Sequence, residues 1–231
     1  LLQGGAKCAT QGNDVHPCGD LVQFKSGNFS VAIKIPKAGI TFQGTGLKST
    51  TLVRDGNKRT FEGISASAVQ QIQGITITNI GIDGANTTTI SHIDRTNPAD
   101  CIFFNGTSSV RIYNIYMNDC VGNGIYLERA WDSRIFDNQI NGNNGNQTRL
   151  QAALKIVSGP IDNSNVIEIT NNRFERAGAT DIMIIGNKDG TNAHAAYQMN
   201  IIGNKFEEHN NAGQRQPLWL IMLNNTRFST I

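Results

Sequence analysis

The sequence predicts an all-β solenoid, and two observations carry the prediction. A short apolar unit recurs along the chain, and no stretch sustains a helical period. The unit is clearest at residues 165–175, NVIEITNNRFE, where apolar and polar residues alternate on one side of an Asn pair. A period of two is typical of β-strands, and repeats of this size bury their apolar face by stacking on their neighbours.

The repeat spacing indicates coils with a fixed core and loops of variable length. Spacings of 35, 23, 34 and 32 residues separate the central isoleucines of five copies: Ile77, Ile112, Ile135, Ile169 and Ile201. In each repeat another strand follows a loop, as at residues 101–104, 124–127, 153–156, 181–184 and 218–220. Each coil therefore has three short strands, equivalent strands pair in parallel, and the chain should hold about six to seven coils.

The chain divides at its first clear coil. Residues 1–30 are predicted to form an N-terminal cap or loop region with a first strand. Residues 31–231 are predicted to form the solenoid, which we expect to continue or to be capped beyond 231 because an open end exposes unpaired strand edges. Within it, the poor pattern of Asp55–Gln73 predicts a long loop.

These repeats resemble the right-handed parallel β-helix of the pectate-lyase-like superfamily, over nearly the whole chain. The segment FSVAIKIPKAGITFQGTGLKSTTLV, residues 29–53, is similar to the way many of these proteins begin. The resemblance implies a single-stranded right-handed parallel β-helix. It also implies a polysaccharide cleft on the outward face of the first strand of each coil, between two banks of loops. The superfamily includes many activities and many non-enzymes, so the fold does not give the function.

Alternation assigns an unusual set of side chains to that outward face. Solvated strands would not align aromatic residues in one column, whereas a binding surface or a covered surface would. Two interpretations stay open: the column binds glycan, or loops or another subunit pack over it. The predicted carbohydrate-binding residues are Phe103, Tyr126, Glu128, Lys155, Asp181 and Trp219.

The sequence does not identify a catalytic site. Polygalacturonase-type hydrolases carry Asn-Thr-Asp-Gly-Ile followed one coil later by Gly-Asp-Asp; residues 97–102 resemble the first, but residues 121–125 lack the paired acids. Lys155 lies between Glu128 and Asp181, whose charges should raise its pKa and make it unsuitable as a base. Loop residues that could supply chemistry are His92, Asp94, Arg149, His194, Glu207, Glu208 and His209.

Three asparagines are predicted to form a structural ladder. Asn138, Asn172 and Asn204 follow the first residue of the break in successive coils. Stacked about 4.8 Å apart, their amides can bond to each other and to the turn backbone. Asn also tolerates the left-handed conformation that a two-residue corner needs.

Cysteines and sequons favour an extracellular setting. Cys8 with Cys18 and Cys101 with Cys120 form two local pairs, which suggests disulfides, although four free thiols remain an alternative. Sequons permit glycosylation at Asn28, Asn86, Asn105, Asn146 and Asn224.

Composition and charge limit the classes of partner that we expect for the chain. A net charge of +2 with both signs scattered argues against nucleic acid, and the lack of an 18-residue apolar run argues against a membrane span. No cofactor-binding or metal-ligand pattern is present, so none is expected. We predict an extracellular or surface-exposed module that binds polysaccharide, as in an adhesin, a tailspike-like fibre or a secreted protein. A lyase or glycoside hydrolase, and a structural module of a filament or homo-oligomeric assembly, remain alternatives.

Overall fold

A computed structural model describes residues 19–35, 38–56, 58–65, 71–84, 100–141, 151–175, 180–187, 195–207 and 219–227, with the backbone alone at 219 and 227. No helix in these ranges is long and apolar enough to cross a membrane. The described strands are β1 (Asp20–Gln23), β2 (Gly27–Val31), β3 (Ile33–Lys34), β4 (Ile40–Gln43), β5 (Thr50–Arg54), β6 (Phe61–Ile64), β7 (Ile72–Gln73), β8 (Thr76–Asp83), β9 (Ile102–Ser108), β10 (Arg111–Asn118), β11 (Ile125–Phe136), β12 (Gln139–Asn141), β13 (Leu154–Val157), β14 (Asn165–Thr170), β15 (Arg173–Glu175), β16 (Thr180–Ile185), β17 (Ala196–Ile202), β18 (Lys205–Glu207), β19 (Trp219–Asn224) and β20 (Thr226–Arg227).

Strands of successive coils stack in parallel and form three faces of the β-helix. Face 1 runs β3–β6–β9–β11–β13–β16–β19. Face 2 runs β1–β4–β8–β10–β11–β14–β17–β20. Face 3 runs β2–β5–β8–β10–β12–β15–β18. The predicted parallel β-helix with three strands per coil is confirmed.

The core consists of apolar columns that run through the coils. The five central isoleucines predicted from the repeat, Ile77 to Ile201, lie opposite one another on face 2 and are almost fully buried. Each isoleucine hidden in this way contributes about 1.5–3 kcal/mol relative to an exposed one. The stack already includes β1 and β2, which pair with β4 and β5, so it begins before residue 31.

The three predicted ladder asparagines form a hydrogen-bonded column at the corner between faces 2 and 3. The Nδ2 of Asn138 donates to Oδ1 of Asn172 at 2.9 Å, and the Nδ2 of Asn172 donates to Oδ1 of Asn204 at 3.0 Å. The Oδ1 of Asn138 accepts the backbone N–H of Ile115 at 3.0 Å. Asn138 and Asn172 are buried, so these bonds satisfy polar groups that water does not reach.

The left-handed residue of this corner is the one before each ladder asparagine, which corrects the sequence interpretation. Positive φ angles occur at Asn79, Asn114, Asp137, Asn171 and Gly203. The ladder asparagines are therefore selected for their amides, whereas their predecessors are selected for the backbone conformation.

The prediction of a long loop over Asp55–Gln73 is wrong. It contains β6 and β7, which pair in register with β9. Gly63 occupies an inward position of β6, and a Cβ there would lie 3.0 Å from the ring of Phe104. The small residue makes room for a large one, and this hid the apolar alternation of the strand.

Candidate functional site

Register places two outward columns side by side on face 1. In the first, Phe103, Tyr126 and Lys155 lie opposite one another on β9, β11 and β13, with Glu62 before them and Met183 and Met222 after them. The second column lies two residues further along each strand and contains Ile64, Asn105, Glu128, Val157, Ile185 and Asn224.

Three members of the first column, Phe103, Tyr126 and Lys155, form a continuous stack of rings and cations with Arg59. The guanidinium of Arg59 lies 3.8 Å from the ring centroid of Phe103, and the rings of Phe103 and Tyr126 are 5.0 Å apart and tilted. The Nζ of Lys155 lies 5.1 Å from the Tyr126 centroid. Ring faces attract cations through their negative quadrupole, and the effect grows where water is excluded.

Arg59 is a site residue that the sequence did not single out. It comes from the turn that precedes β6, inside the segment interpreted as a loop. Its Nη1 donates to Glu62 at 2.8 Å, and its Nε lies 3.8 Å from Oδ2 of Asp100. Its side chain is only 14% exposed, so Arg59 covers Phe103, which is itself 6% exposed. Phe103 therefore does not offer an open ring face to a ligand.

Tyr126 remains half-buried and carries a polar partner. Its hydroxyl donates to Oε2 of Glu128 at 3.2 Å. Burial raises the pKa of Tyr126, and the neighbouring Glu128 carboxylate raises it further because it repels the phenolate and bonds the neutral form. Tyr126 is thus a neutral donor at ordinary pH.

The pKa of Lys155 moves in the direction opposite to the one expected. Burial lowers it, and the opposing attraction of Asp100 and Glu128 does not restore it. Desolvation penalises the charged ammonium more than the carboxylates favour it. Asp100, a buried carboxyl that the sequence did not assign to this group, attracts Lys155 together with Glu128.

Asp100 is fully buried and anchors a second polar ladder, at the corner that leads into face 1. Its Oδ1 accepts the backbone N–H and Nδ2 of Asn123 at 2.8 and 2.7 Å, and Oδ1 of Asn123 accepts the N–H of Ala152 at 2.9 Å. Its Oδ2 has no hydrogen-bond donor. Burial raises the pKa of Asp100 despite Asn123, Arg59 and Lys155.

The predicted site residues Trp219 and Asp181 differ in what the structure describes. The backbone of Trp219 pairs with Thr180 at the start of β19, and its role as a site residue stays a prediction. Asp181 lies on β16 but is 3% exposed, so it is not part of an open surface. The residues that a ligand could reach are therefore Tyr126, Glu128 and Lys155, with Arg59 and Glu62 at one end.

The predicted covalent features divide between described and undescribed residues. Cys101 and Cys120 form a disulfide, and both are fully buried. Asn28 is exposed on β2, Asn224 is half-buried, and Oδ1 of Asn105 accepts Nε of Arg129 at 2.7 Å. Among the proposed chemical residues, Glu207 lies on face 3, paired with Arg173 and Lys205. Outside the described residues lie Cys8, Cys18, Asn86, His92, Asp94, Asn146, Arg149, His194, Glu208 and His209.

Within the described ranges, no three His, Cys, Asp or Glu side chains are grouped so as to hold a metal ion.

Three solved structures are similar to the chain. ORF18 of Geobacillus virus E2 matches with a TM-score of 0.73 at 22% identity, over 93% of this chain and 41% of that protein. The shared feature is the parallel β-helix fold. The pre-mature gene product 12 of bacteriophage phi29 matches with 0.54 at 17%, over 80% and 29%. The mannuronan C-5 epimerase AlgE6 A-module of Azotobacter vinelandii matches with 0.54 at 12%, over 92% and 60%.

The chain thus covers less than two thirds of each of these proteins. No family model and no curated protein matches the sequence. At these identities the similarity concerns the fold alone, and function must be argued from the residues of face 1.

Proposed function

We propose that the chain is a polysaccharide-binding β-helix module whose binding surface is face 1. One observation carries the proposal: Tyr126 and Glu128 on β11 and Lys155 on the next coil are outward, half-buried and adjacent. A strand facing only water would leave these side chains fully exposed, and the hydrophobic core would not contain charged groups. Half-burial is therefore typical of a binding surface.

The chemistry of these residues fits a sugar. Tyr126 supplies an apolar ring with a polar edge, Lys155 supplies donors and Glu128 supplies acceptors. Sugar rings present apolar C–H faces bordered by hydroxyls that both donate and accept. Tyr126 and Lys155 lie on successive coils, about 4.8 Å apart along the helix axis, and Glu128 lies two residues beyond Tyr126 on the same strand, so the three side chains form one compact patch.

The setting that we propose is extracellular, on a virion or a cell surface. The buried disulfide between Cys101 and Cys120 is typical of an oxidising compartment. Two of the similar structures are phage proteins, and the third is named as a mannuronan epimerase module. Polysaccharide is therefore the proposed partner, and neighbouring subunits of an assembly remain a further one.

The test is glycan binding by a Tyr126→Ala variant. We expect binding to weaken about tenfold, equivalent to about 1.4 kcal/mol, because the ring and its hydroxyl are lost together. A panel of neutral and acidic glycans would first be screened for binding. The affinity for the soluble polysaccharides that bind would then be measured by calorimetry. Tyr113→Ala is the matched control, because Tyr113 is also half-buried but lies on face 2, stacked on Phe136 with centroids 4.7 Å apart.

A different result would favour the structural alternative. If Tyr126→Ala lowered the melting temperature by several degrees or dissociated an oligomer, with glycan binding unchanged, the column would be a packing contact. The chain would then be a structural module of an assembly.

One observation also supports a second function, polysaccharide lyase activity. The lowered pKa of Lys155 makes a neutral amine accessible nearer to neutral pH, as a general base requires. We expect a lyase to release products with ultraviolet absorbance from an unsaturated bond, and Lys155→Met to slow their release by about 100-fold or more. Glycan binding without new absorbance or new reducing ends would exclude this function.

A further inference from the structure

Both cations beside the aromatic pair of face 1 already face carboxylates. Arg59 is bonded to Glu62 at 2.8 Å and lies 3.8 Å from Asp100. The charges of Asp100 and Glu128 both attract the ammonium group of Lys155. In the described part of face 1, two cations thus lie close to three carboxylates.

Within the described residues, the other charged groups near face 1 do not reverse this balance. Arg129 is buried at the corner after Glu128 and donates to Asn105 and to the backbone carbonyl of Ser65, at 2.7 and 2.8 Å. Lys34 is exposed on the edge strand β3, opposite Glu62. The buried carboxyl of Asp181 lies two residues before Met183 on β16.

From this arrangement we infer that face 1 selects neutral polysaccharides over acidic ones. The inference rests on the proposed function and specifies its substrate class.

The physical reason is competition for the same cations. A carboxylate on the ligand must compete with Glu128 and Asp100 for the attraction of Lys155, or displace Glu62 from Arg59, and the resident carboxylates stay nearby and repel it. A partly desolvated carboxylate that loses its partner is costly. Neutral hydroxyls avoid this cost, because they can donate to Glu128 and accept from Lys155 while the resident pairs stay intact.

The experiment compares one glycan with and without charge. The neutral polysaccharide that binds best among galactomannan, glucomannan and a 1,4-linked glucan is oxidised at its C6 hydroxymethyl groups to introduce carboxylates, and both forms are titrated at low ionic strength. We expect the oxidised form to bind at least about tenfold more weakly. Polygalacturonate and alginate are included as native acidic glycans, and each should bind more weakly than the best neutral one.

Charge variants locate the effect. Glu128→Gln keeps an oxygen that can accept the Tyr126 hydroxyl but removes the resident charge, so it should bring the oxidised form to within about threefold of the neutral one. Asp132→Asn changes the net charge equally, at an exposed position with a positive φ that Asn tolerates, and should leave the ratio unchanged.

The outcomes separate the inference from the function on which it rests. Equal or tighter binding of an acidic glycan, or an unchanged ratio in Glu128→Gln, would overturn the neutral selectivity and leave the binding module standing. Absence of binding to every neutral and acidic glycan would overturn both.

Discussion

Replacing Asn172 with alanine should lower the free energy of unfolding by about 3 kcal/mol, because three polar groups lose their partner at once. The Oδ1 of Asn172 accepts both the backbone N–H and the Nδ2 of Asn138, at 3.2 and 2.9 Å. Its Nδ2 donates to the carbonyl of Ile135 at 2.8 Å. Water cannot replace these bonds, because Asn172 is 1% exposed.

The matched control is Asn204→Ala, at the partly exposed end of the same ladder. Asn204 accepts from Asn172 and donates to the carbonyl of Ile169 at 2.8 Å, but water can reach this position. The loss should therefore be smaller, about 1 kcal/mol. Chemical denaturation of both variants measures the difference. Equal unfolding midpoints for wild type and Asn172→Ala would show that the ladder contributes nothing to stability.

The ladder and the core columns could be predicted because their cause is repeated in the sequence. Ile135, Ile169 and Ile201 occupy the same position in successive coils, and the asparagines follow at a constant distance. A parallel stack aligns equivalent residues of successive coils, so the repeat in the sequence predicts which residues pair between strands.

The second ladder could not be predicted in this way, because its members are not alike. Asp100 and Asn123 are different residue types, and the next coil offers the backbone N–H of Ala152 in place of a side chain. Resemblance to a hydrolase motif drew attention to Asp100, but Oδ1 is used to hold the corner. Three-dimensional contacts were needed to show this.

Arg59 illustrates a further limit. It reaches Phe103 from a turn outside any repeat, so alternation carries no information about its direction.

The pKa of Lys155 shows why the electrostatics of the site required the structure. Sequence spacing correctly placed Glu128 one coil away and two residues further on, which predicts attraction. It could not give the burial of Lys155, which outweighs the two carboxylates and lowers the pKa. Opposing effects of similar size can be ranked only when the burial of the group is known.

Removing the disulfide with a Cys101→Ala/Cys120→Ala double variant should lower the free energy of unfolding by about 3 kcal/mol, since the bond closes a loop across 19 residues. Alanine fills part of the buried space of each cysteine and leaves no free thiol, so chain entropy accounts for most of the loss. Chemical denaturation measures it, and alkylation of the wild type without reductant should modify neither Cys101 nor Cys120. Labelling of both in the folded protein would contradict the bond.

The same variant should also disturb face 1, because the disulfide lies next to the corner that positions the buried carboxylate. Cys101 follows Asp100 directly, and its N–H donates to the carbonyl of Asn123, whose amide holds Asp100. If that corner is loosened, the carboxylate of Asp100, which attracts Arg59 and Lys155, moves as well. Glycan affinity should therefore fall in the disulfide variant under conditions in which it is still fully folded. Asn172→Ala, which is destabilised about equally but lies at the corner between faces 2 and 3, should keep the wild-type affinity. Equal affinity in the two variants would mean that the disulfide contributes to stability without organising the site.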